Sequence, residues 1–350
     1  MSDVLVLFYD DKDRQRPVGK STLEDEIKRG FAETKVNYDI QVASPSHTSW
    51  LAKFWMNEKK YDGILVVAGL ACSLSVPYSA MQDLYKNDTL VIGDPDWPEI
   101  DKKIVPSKYY NQQRHVPILG LPTRHAQDDG ELAFKSMIME SSPADAMCVG
   151  IEQGYQAARF MSKLVNNEFK EVKLIIPNKT GVYNRAAHNV NKLLNLEFKV
   201  WDQGKSDDKI WFSPPEPMID YLRRFENFKE KYDNILPVVF YDEFSQIQEI
   251  DKVAEFIIGV YFPEGEPNWK HLAHVALHST QLEHVVHVRP TEENVAMAIA
   301  QYLYHARNKK GELKLKEESY FRNRRREKAR LNVEKLLLAH PELDKRKKNN

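Results

Sequence analysis

Short apolar runs, spaced at the interval of strand–helix units, constrain this chain more than any other feature. Val4–Phe8, Ile64–Ala68, Ile118–Leu121 and Met147–Ile151 are each only four or five residues long. Such runs suit strands buried on both faces, as in a parallel sheet, and are too short for buried helices. The spacing between them predicts a helix over Leu23–Thr34, a strand over Tyr38–Ala43 and a helix over Trp50–Lys59. Alternation of this kind is the pattern of βαβ units. In such sheets ligands bind in the loops at the carboxyl ends of the strands. Here those loops are Asp10–Asp13, Ser44–Ser49 and Gly69–Pro77.

The first half of the chain has an echo in the second. Trp50–Leu65 matches Tyr221–Leu236, in the phrases Lys60-Tyr61-Asp62-Gly63-Ile64-Leu65 and Lys231-Tyr232-Asp233-Asn234-Ile235-Leu236. Val172–Ile176 answers the opening strand, and Asn294–Leu303 answers the helix at Gln156–Val165. The expected architecture is α/β: two tandem flavodoxin-like doubly wound parallel-sheet domains, over 1–168 and 169–307, with a C-terminal helical extension over 308–350. Residues 83–115, rich in Pro and Tyr, read as an insertion in the first domain.

At 350 residues the chain is long enough for two domains that each bury a core. Hydrophobic content of 42% beside 29% charge is that of an ordinary globular protein, and no run of about 18 apolar residues offers a membrane span. The opening Met1-Ser2-Asp3-Val4 enters a strand directly, without the basic and apolar regions of a signal peptide. Cys72 and Cys148 stand far apart in apolar contexts, which fits buried thiols and a reducing compartment. A cytoplasmic protein is expected. From Asn308 onward 15 Lys and Arg face 7 Asp and Glu, which leaves the body of the chain acidic. An acidic body argues against general nucleic-acid binding. The basic segment Arg322–Arg330 runs into Leu331, Val333 and Leu336–Leu338. It reads as an amphipathic helix docking on its own or a neighbouring subunit before it reads as an RNA-binding element.

Taken in order, four stretches resemble the aminoimidazole-ribonucleotide (AIR) carboxylase family, also called carboxyaminoimidazole-ribonucleotide mutases. They are Ser44-Pro45-Ser46-His47-Thr48-Ser49, Ala68-Gly69-Leu70-Ala71-Cys72-Ser73-Leu74-Ser75-Val76-Pro77, Val116–Pro122 and Ala146–Ala158. The resemblance implies lyase or mutase chemistry on a phosphoribosyl or nucleotide-type small molecule of purine synthesis, without a cofactor. It also implies a homo-oligomer. The family's Ser-Ala-His-Arg-Thr-Pro signature falls on Ser44–Ser49, so His47 becomes the candidate acid–base residue after a one-residue slip. Ser44, Ser46, Gly69, Ala71, Ser75 and Pro77 would line the pocket. The family's phosphate loop falls on Phe8–Asp13, where Asp10 and Asp13 replace small residues and would repel phosphate. The corresponding loop of the second copy, with Asn178, Lys179 and Thr180, suits an anion better.

The family's two histidines align with Ser46 and Ser75, and three glycines of its third signature are replaced. The alternative reading is therefore a catalytically inactive protein that binds a nucleotide or scaffolds partners. Ile151–Ala158 is closer to the related pyridinium-dinucleotide carboxylases, but Ser141 and Ser142 stand where that group has its cysteine nucleophile, which disfavours covalent chemistry. His271, His274, His278, His284 and His287 invite a metal reading. With Leu272–Leu277 taken as a strand they do not converge, and no metal is expected.

Overall fold

The computed structural model describes residues 3–42, 61–69, 117–125, 130–139, 147–166, 168–169, 171–177, 181–194, 212–226, 235–262, 275–292, 294–296 and 298–299. The predicted helix at 50–59, the 83–115 insertion and the 308–350 tail lie outside these residues.

The strands that form the large sheet are β1 (Asp3–Phe8), β4 (Asn37–Val42), β5 (Gly63–Ala68), β6 (Ile118–Pro122) and β7 (Met147–Cys148), then β8 (Glu171–Ile176), β9 (Phe212–Pro217), β10 (Ile235–Tyr241), β11 (Ile257–Tyr261) and β12 (Val285–Val288). A small antiparallel ribbon, β2 (Pro17–Val18) with β3 (Ser21–Thr22), stands apart. Helices among the described residues include α1 (Asp11–Arg14), α2 (Leu23–Thr34), α3 (Glu131–Met139), α4 (Gly154–Asn166), α5 (Gly181–Lys192), α6 (Met218–Glu226) and α7 (Phe244–Asp251). The chain is thus mixed α/β around one large, mostly parallel sheet.

Among the described residues the sheet has ten strands, in the order β4-β1-β5-β6-β7-β12-β11-β10-β8-β9. Counted within each half, both sets of five strands lie in the order 2-1-3-4-5. The halves join through their fifth strands, and β7 pairs with β12 antiparallel while every other described pairing in the large sheet is parallel. Carboxyl ends of the strands therefore point one way in the first half and the opposite way in the second.

The ladder is nearly palindromic. One row of partners runs Gln41, Leu7, Val66, Gly120, Cys148, then across the junction to His287, Gly259, Val239, Ile175 and Glu216. With Gly120 and Gly259 on one row, Ile118-Leu119-Gly120-Leu121-Pro122 and Ile257-Ile258-Gly259-Val260-Tyr261 are counterparts about the antiparallel junction. Gly259 is needed, since a Cβ there would lie 2.7 Å from Val285 Cγ1 and 3.0 Å from Ile247 Cδ1. The sequence match aligns Ile64 with Ile235, but the ladder makes Pro237 the counterpart of Ile64, each standing two residues before the shared row. A slip of two residues keeps each side chain on its own face, so apolar patterning alone does not detect it.

Helices cover both faces. Gly63 lies against Met161 and Val165 of α4, whereas Cys148, of opposite parity along the row, reaches Met137 of α3. Helix α2 begins with a reciprocal cap in which Thr22 Oγ1 accepts from the Asp25 amide while the Asp25 carboxylate accepts from Thr22. It packs closely on α4 through Gly30, and Thr34 Oγ1 donates to Ser162 Oγ at 2.7 Å. Gln153 ties the halves together, its amide donating to the carbonyls of Ser279 and Leu282 at 3.2 and 2.8 Å. Arg159 and Lys163 of α4 both pair with Glu255 ahead of β11.

Two expectations are corrected. The strand over Met147–Ile151 stops at Cys148, because the chain turns at Ile151 and Glu152 and Glu152 takes φ 61°. Of the expected strand Leu272–Leu277, residues 275–277 belong instead to a helical segment at 275–279, and the next described strand is Val285–Val288.

Candidate functional site

Above the first half, α1 turns a carboxylate back over the strand ends. Asp10 caps this helix by accepting the Lys12 amide at 2.9 Å and stays exposed. Asp13, one turn on, is buried. Its Oδ1 accepts the Thr123 hydroxyl at 2.7 Å, and its carboxylate also takes the backbone N–H of Gly69. Gly69 follows β5 and Thr123 follows β6, and a Cβ on residue 69 would lie 3.1 Å from Thr123 Oγ1. Burial raises the Asp13 pKa, with the Thr123 bond and the Arg16 charge opposing.

Arg16 completes the group. Its Nε lies 3.8 Å from Asp13 Oδ1 and 3.6 Å from Glu152 Oε1, and it is buried without a hydrogen-bond acceptor. Glu152 also stands 3.6 Å from Arg124 Nε and accepts the Arg124 amide at 3.3 Å. Its left-handed backbone costs on the order of 1 kcal/mol and is held by the Glu152 N–H, which donates to Pro122 O at 2.9 Å. Two carboxylates, two guanidiniums and a hydroxyl thus converge where the chain leaves β1, β5, β6 and β7.

The second half repeats the arrangement with its parts exchanged. Asp242 follows β10 as Gly69 follows β5, and Phe262 follows β11 as Thr123 follows β6. The bond from Thr123 N to Ala68 O, 3.0 Å, has its counterpart in Phe262 N to Tyr241 O, 2.7 Å. The bridging side chain is Tyr183 of α5, whose hydroxyl donates to Asp242 Oδ2 at 2.7 Å and approaches Phe262 O at 3.1 Å. Each half therefore locks its strand ends with a carboxylate–hydroxyl pair at the same distance. The acid sits on the bridging residue in the first half and on the strand end in the second.

Of the residues singled out in the sequence, the structure brings Asp13 and Gly69 together and leaves Asp10 outside as a cap. His47, Ser44, Ser46, Ala71, Ser75, Pro77, Asn178, Lys179 and Thr180 lie outside the described residues. Arg16, Thr123, Arg124, Glu152, Tyr183 and Asp242 were not singled out. The signal available for Thr123, its neighbour Arg124, and Asp242 was their place just beyond a strand's carboxyl end.

His271 and His274 lie outside the described residues, and the other three histidines stand apart. His278 faces the Phe244 ring at 4.5 Å, His284 is held by Asp251, and His287 is buried at the junction. Among the described residues no group of three or more His, Cys, Asp or Glu is placed to hold a metal, and no helix is long and apolar enough to cross a membrane.

No family model and no curated protein matches this chain. Solved structures that match include a periplasmic solute-binding protein of an ABC transporter from Actinobacillus succinogenes 130z with bound D-allose. It is 14% identical, covers 88% of this chain and 92% of its own, and has a TM-score of 0.25. A leucine-binding protein LivK from Thermotoga maritima MSB8 matches at 10% identity, 88% and 87% coverage and TM-score 0.22. A LacI family transcriptional regulator from Silicibacter pomeroyi matches at 11% identity, 82% and 95% coverage and TM-score 0.21. At these TM-scores the likenesses carry no argument about a ligand. They are nonetheless matches to binding proteins and a regulator, not to AIR carboxylases. The expectation of AIR carboxylase membership, with its lyase or mutase chemistry and its place in purine biosynthesis, is corrected accordingly, and the acidic, self-bridged Asp13 loop agrees with that correction.

Proposed function

We propose that this protein binds a small hydroxylated molecule at the carboxyl edge of its first half, and that its role is binding rather than carboxyl transfer. The observation that carries the reading is the Arg16 Nε, a buried charged donor with no acceptor, set 3.6 and 3.8 Å from two carboxylates. Buried donors of this kind are satisfied in nearly all folded proteins, by protein groups, ordered water or ligand. An anion there would meet Asp13 and Glu152, and a cation would meet Arg16 and Arg124. A hydroxyl suits both, accepting from the guanidinium and donating to a carboxylate. A nucleotide belongs to this class through its ribose hydroxyls, so it is tested beside free sugars and polyols.

The same reading divides the chain into tandem flavodoxin-like domains over 1–168 and 169–307, followed by the 308–350 tail; the shared strand order supports it. Self-association is part of the proposal. Its support is that β4 ends the sheet without proline, whereas the opposite edge, β9, carries Pro214, Pro215 and Pro217. Light scattering at micromolar concentration tests it, and a monomeric mass would remove it.

The binding test is a thermal-shift screen of monosaccharides, polyols, nucleoside monophosphates and inorganic phosphate. A ligand at 100 times its dissociation constant stabilises by about 2.7 kcal/mol, a readily visible shift. The shift should appear with hydroxylated compounds, be absent with phosphate alone, and disappear in Arg16→Met. A shift with phosphate alone that survives Arg16→Met would overturn the reading.

A further inference from the structure

The second half carries the complementary defect at the equivalent place. That place is the carboxyl end of β10, beside β8, with Asp242 as the first residue beyond β10. One oxygen of Asp242 accepts the Tyr183 hydroxyl; the other, Oδ1, is buried and has no hydrogen-bond partner. No Lys, Arg or His among the described residues pairs with it, whereas Asp13 in the first half has Arg16 beside it. The backbone amide of Asp242 is already taken, donating to Gln246 Oε1 at 3.2 Å. A carboxylate oxygen buried without a donor is costly and calls for an N–H or O–H from elsewhere.

The surroundings narrow the donor. Tyr183 and Phe262 meet edge to face with centroids 6.2 Å apart, and Phe262 stacks in the same manner on Phe240 at 6.3 Å. Burial raises the Tyr261 hydroxyl pKa, and the charge of nearby Asp242 adds to it. Aromatic faces beside a carboxylate attract cations carrying apolar substituents, because ring quadrupole and carboxylate act in the same sense. The unpaired oxygen requires an N–H in addition, so a quaternary ammonium is a poor fit.

We infer that this strand end is a second binding site, opposite in polarity to the first, for a primary or secondary alkylammonium group whose N–H donates to Asp242 Oδ1 while its carbon chain lies against Tyr183 and Phe262. The inference stands on Asp242 and its neighbours and does not depend on a ligand at Arg16. Because β7 and β12 are antiparallel, the two sites lie at opposite ends of the sheet.

Isothermal titration of full-length Arg16→Met, which lacks the hydroxyl site, with n-butylammonium chloride tests it, against potassium chloride, tetramethylammonium chloride and 1-butanol at equal concentration. The expected result is saturable 1:1 binding of butylammonium, at least about tenfold weaker binding of tetramethylammonium, and none of potassium or butanol. Asp242→Asn should lose at least about tenfold in affinity with unchanged circular dichroism. If that variant does not fold, Tyr183→Phe decides: it leaves both rings and frees the second oxygen, so affinity should hold or rise. Absence of saturable butylammonium binding, equal binding of butanol or tetramethylammonium, an unaffected Asp242→Asn or a tenfold loss in Tyr183→Phe would each overturn the proposal.

Discussion

His287 stands opposite Cys148 at the step where the large sheet changes from parallel to antiparallel, and neither nitrogen of its ring has a hydrogen-bond partner. The ring is 1% exposed and meets Phe134 of α3 edge to face at 5.4 Å. A polar ring in that position contributes packing but bears the desolvation of two unmet groups, about 1–3 kcal/mol each. His287→Leu, of similar volume, should therefore raise stability toward urea by roughly 1 kcal/mol. A loss of 2 kcal/mol or more would mean that the imidazole has a partner and holds the junction together.

The same residue sets the acid limb of stability. Burial depresses the His287 pKa to about 3, against about 6.5 in an unfolded chain. Between those values the unfolded state binds a proton that the native state refuses. Stability is thus complete above about 6.5 and falls with decreasing pH, by at most about 1.4 kcal/mol per unit. His284 acts in the opposite sense. The hydrogen bond to Asp251 raises its pKa, so its contribution is present below the unfolded value and is lost as pH rises through the folded one. Urea unfolding from pH 4 to 8 separates them. His287→Leu should flatten the acid side, and His284→Asn should cost more at pH 5.5 than at pH 8. Identical pH profiles for wild type and His287→Leu would remove the first assignment.

The two carboxylate–hydroxyl locks should be independent. Thr123→Val and Tyr183→Phe each delete a donor to an acid at 2.7 Å, and each should cost about 1–3 kcal/mol. Because the locks lie at opposite ends of the sheet, the double variant should show the sum within about 0.5 kcal/mol. Asp13 adds a pH signature. Its raised pKa means that the native state holds this proton more tightly than the unfolded state, so its share of stability grows as pH falls through the folded value. Thr123→Val should raise that pKa further, seen by carboxyl NMR; no change would show that the hydroxyl does not donate to Asp13.

Much of this architecture was legible because it is written in contiguous residues. Val4–Phe8 and Ile64–Ala68 read as buried strands from unbroken apolar runs, and Leu23–Thr34 matches α2 because Thr22 and Asp25 fix its start. The junction was not legible. It rests on ladder partners 139 positions apart in strands of two and four residues, too short to leave a periodic signal. Asp13 was found because it lies in a strand-end loop, but its partner Thr123 is 110 residues away and follows an ordinary Leu-Pro. The family resemblance drew on real strand–loop phrases and mistook them for shared chemistry. Strand ends of one shape can carry unrelated sites.

Paired glycine substitutions offer the sharpest test of the packing between α2 and α4. In a helix interior Gly→Ala ordinarily stabilises by about 1 kcal/mol, since alanine restricts the unfolded chain. At Gly30 the added Cβ would stand 2.6 Å from the Tyr155 carbonyl oxygen and 2.7 Å from Ala158 Cβ. A backbone oxygen on a packed helix cannot move aside without its neighbours, so the helices must separate and the Thr34–Ser162 bond must lengthen. Gly30→Ala should therefore destabilise by about 1–3 kcal/mol despite its better helix propensity. Gly181 is the control: it opens α5, is exposed, and a Cβ there meets nothing within 4 Å. Gly181→Ala should be neutral or stabilise by a few tenths of a kcal/mol. The same change of one methyl group is thus expected to have opposite signs at two helical positions, read by urea unfolding of both variants. Equal stabilisation by both would show that α2 and α4 do not pack backbone to backbone at Gly30.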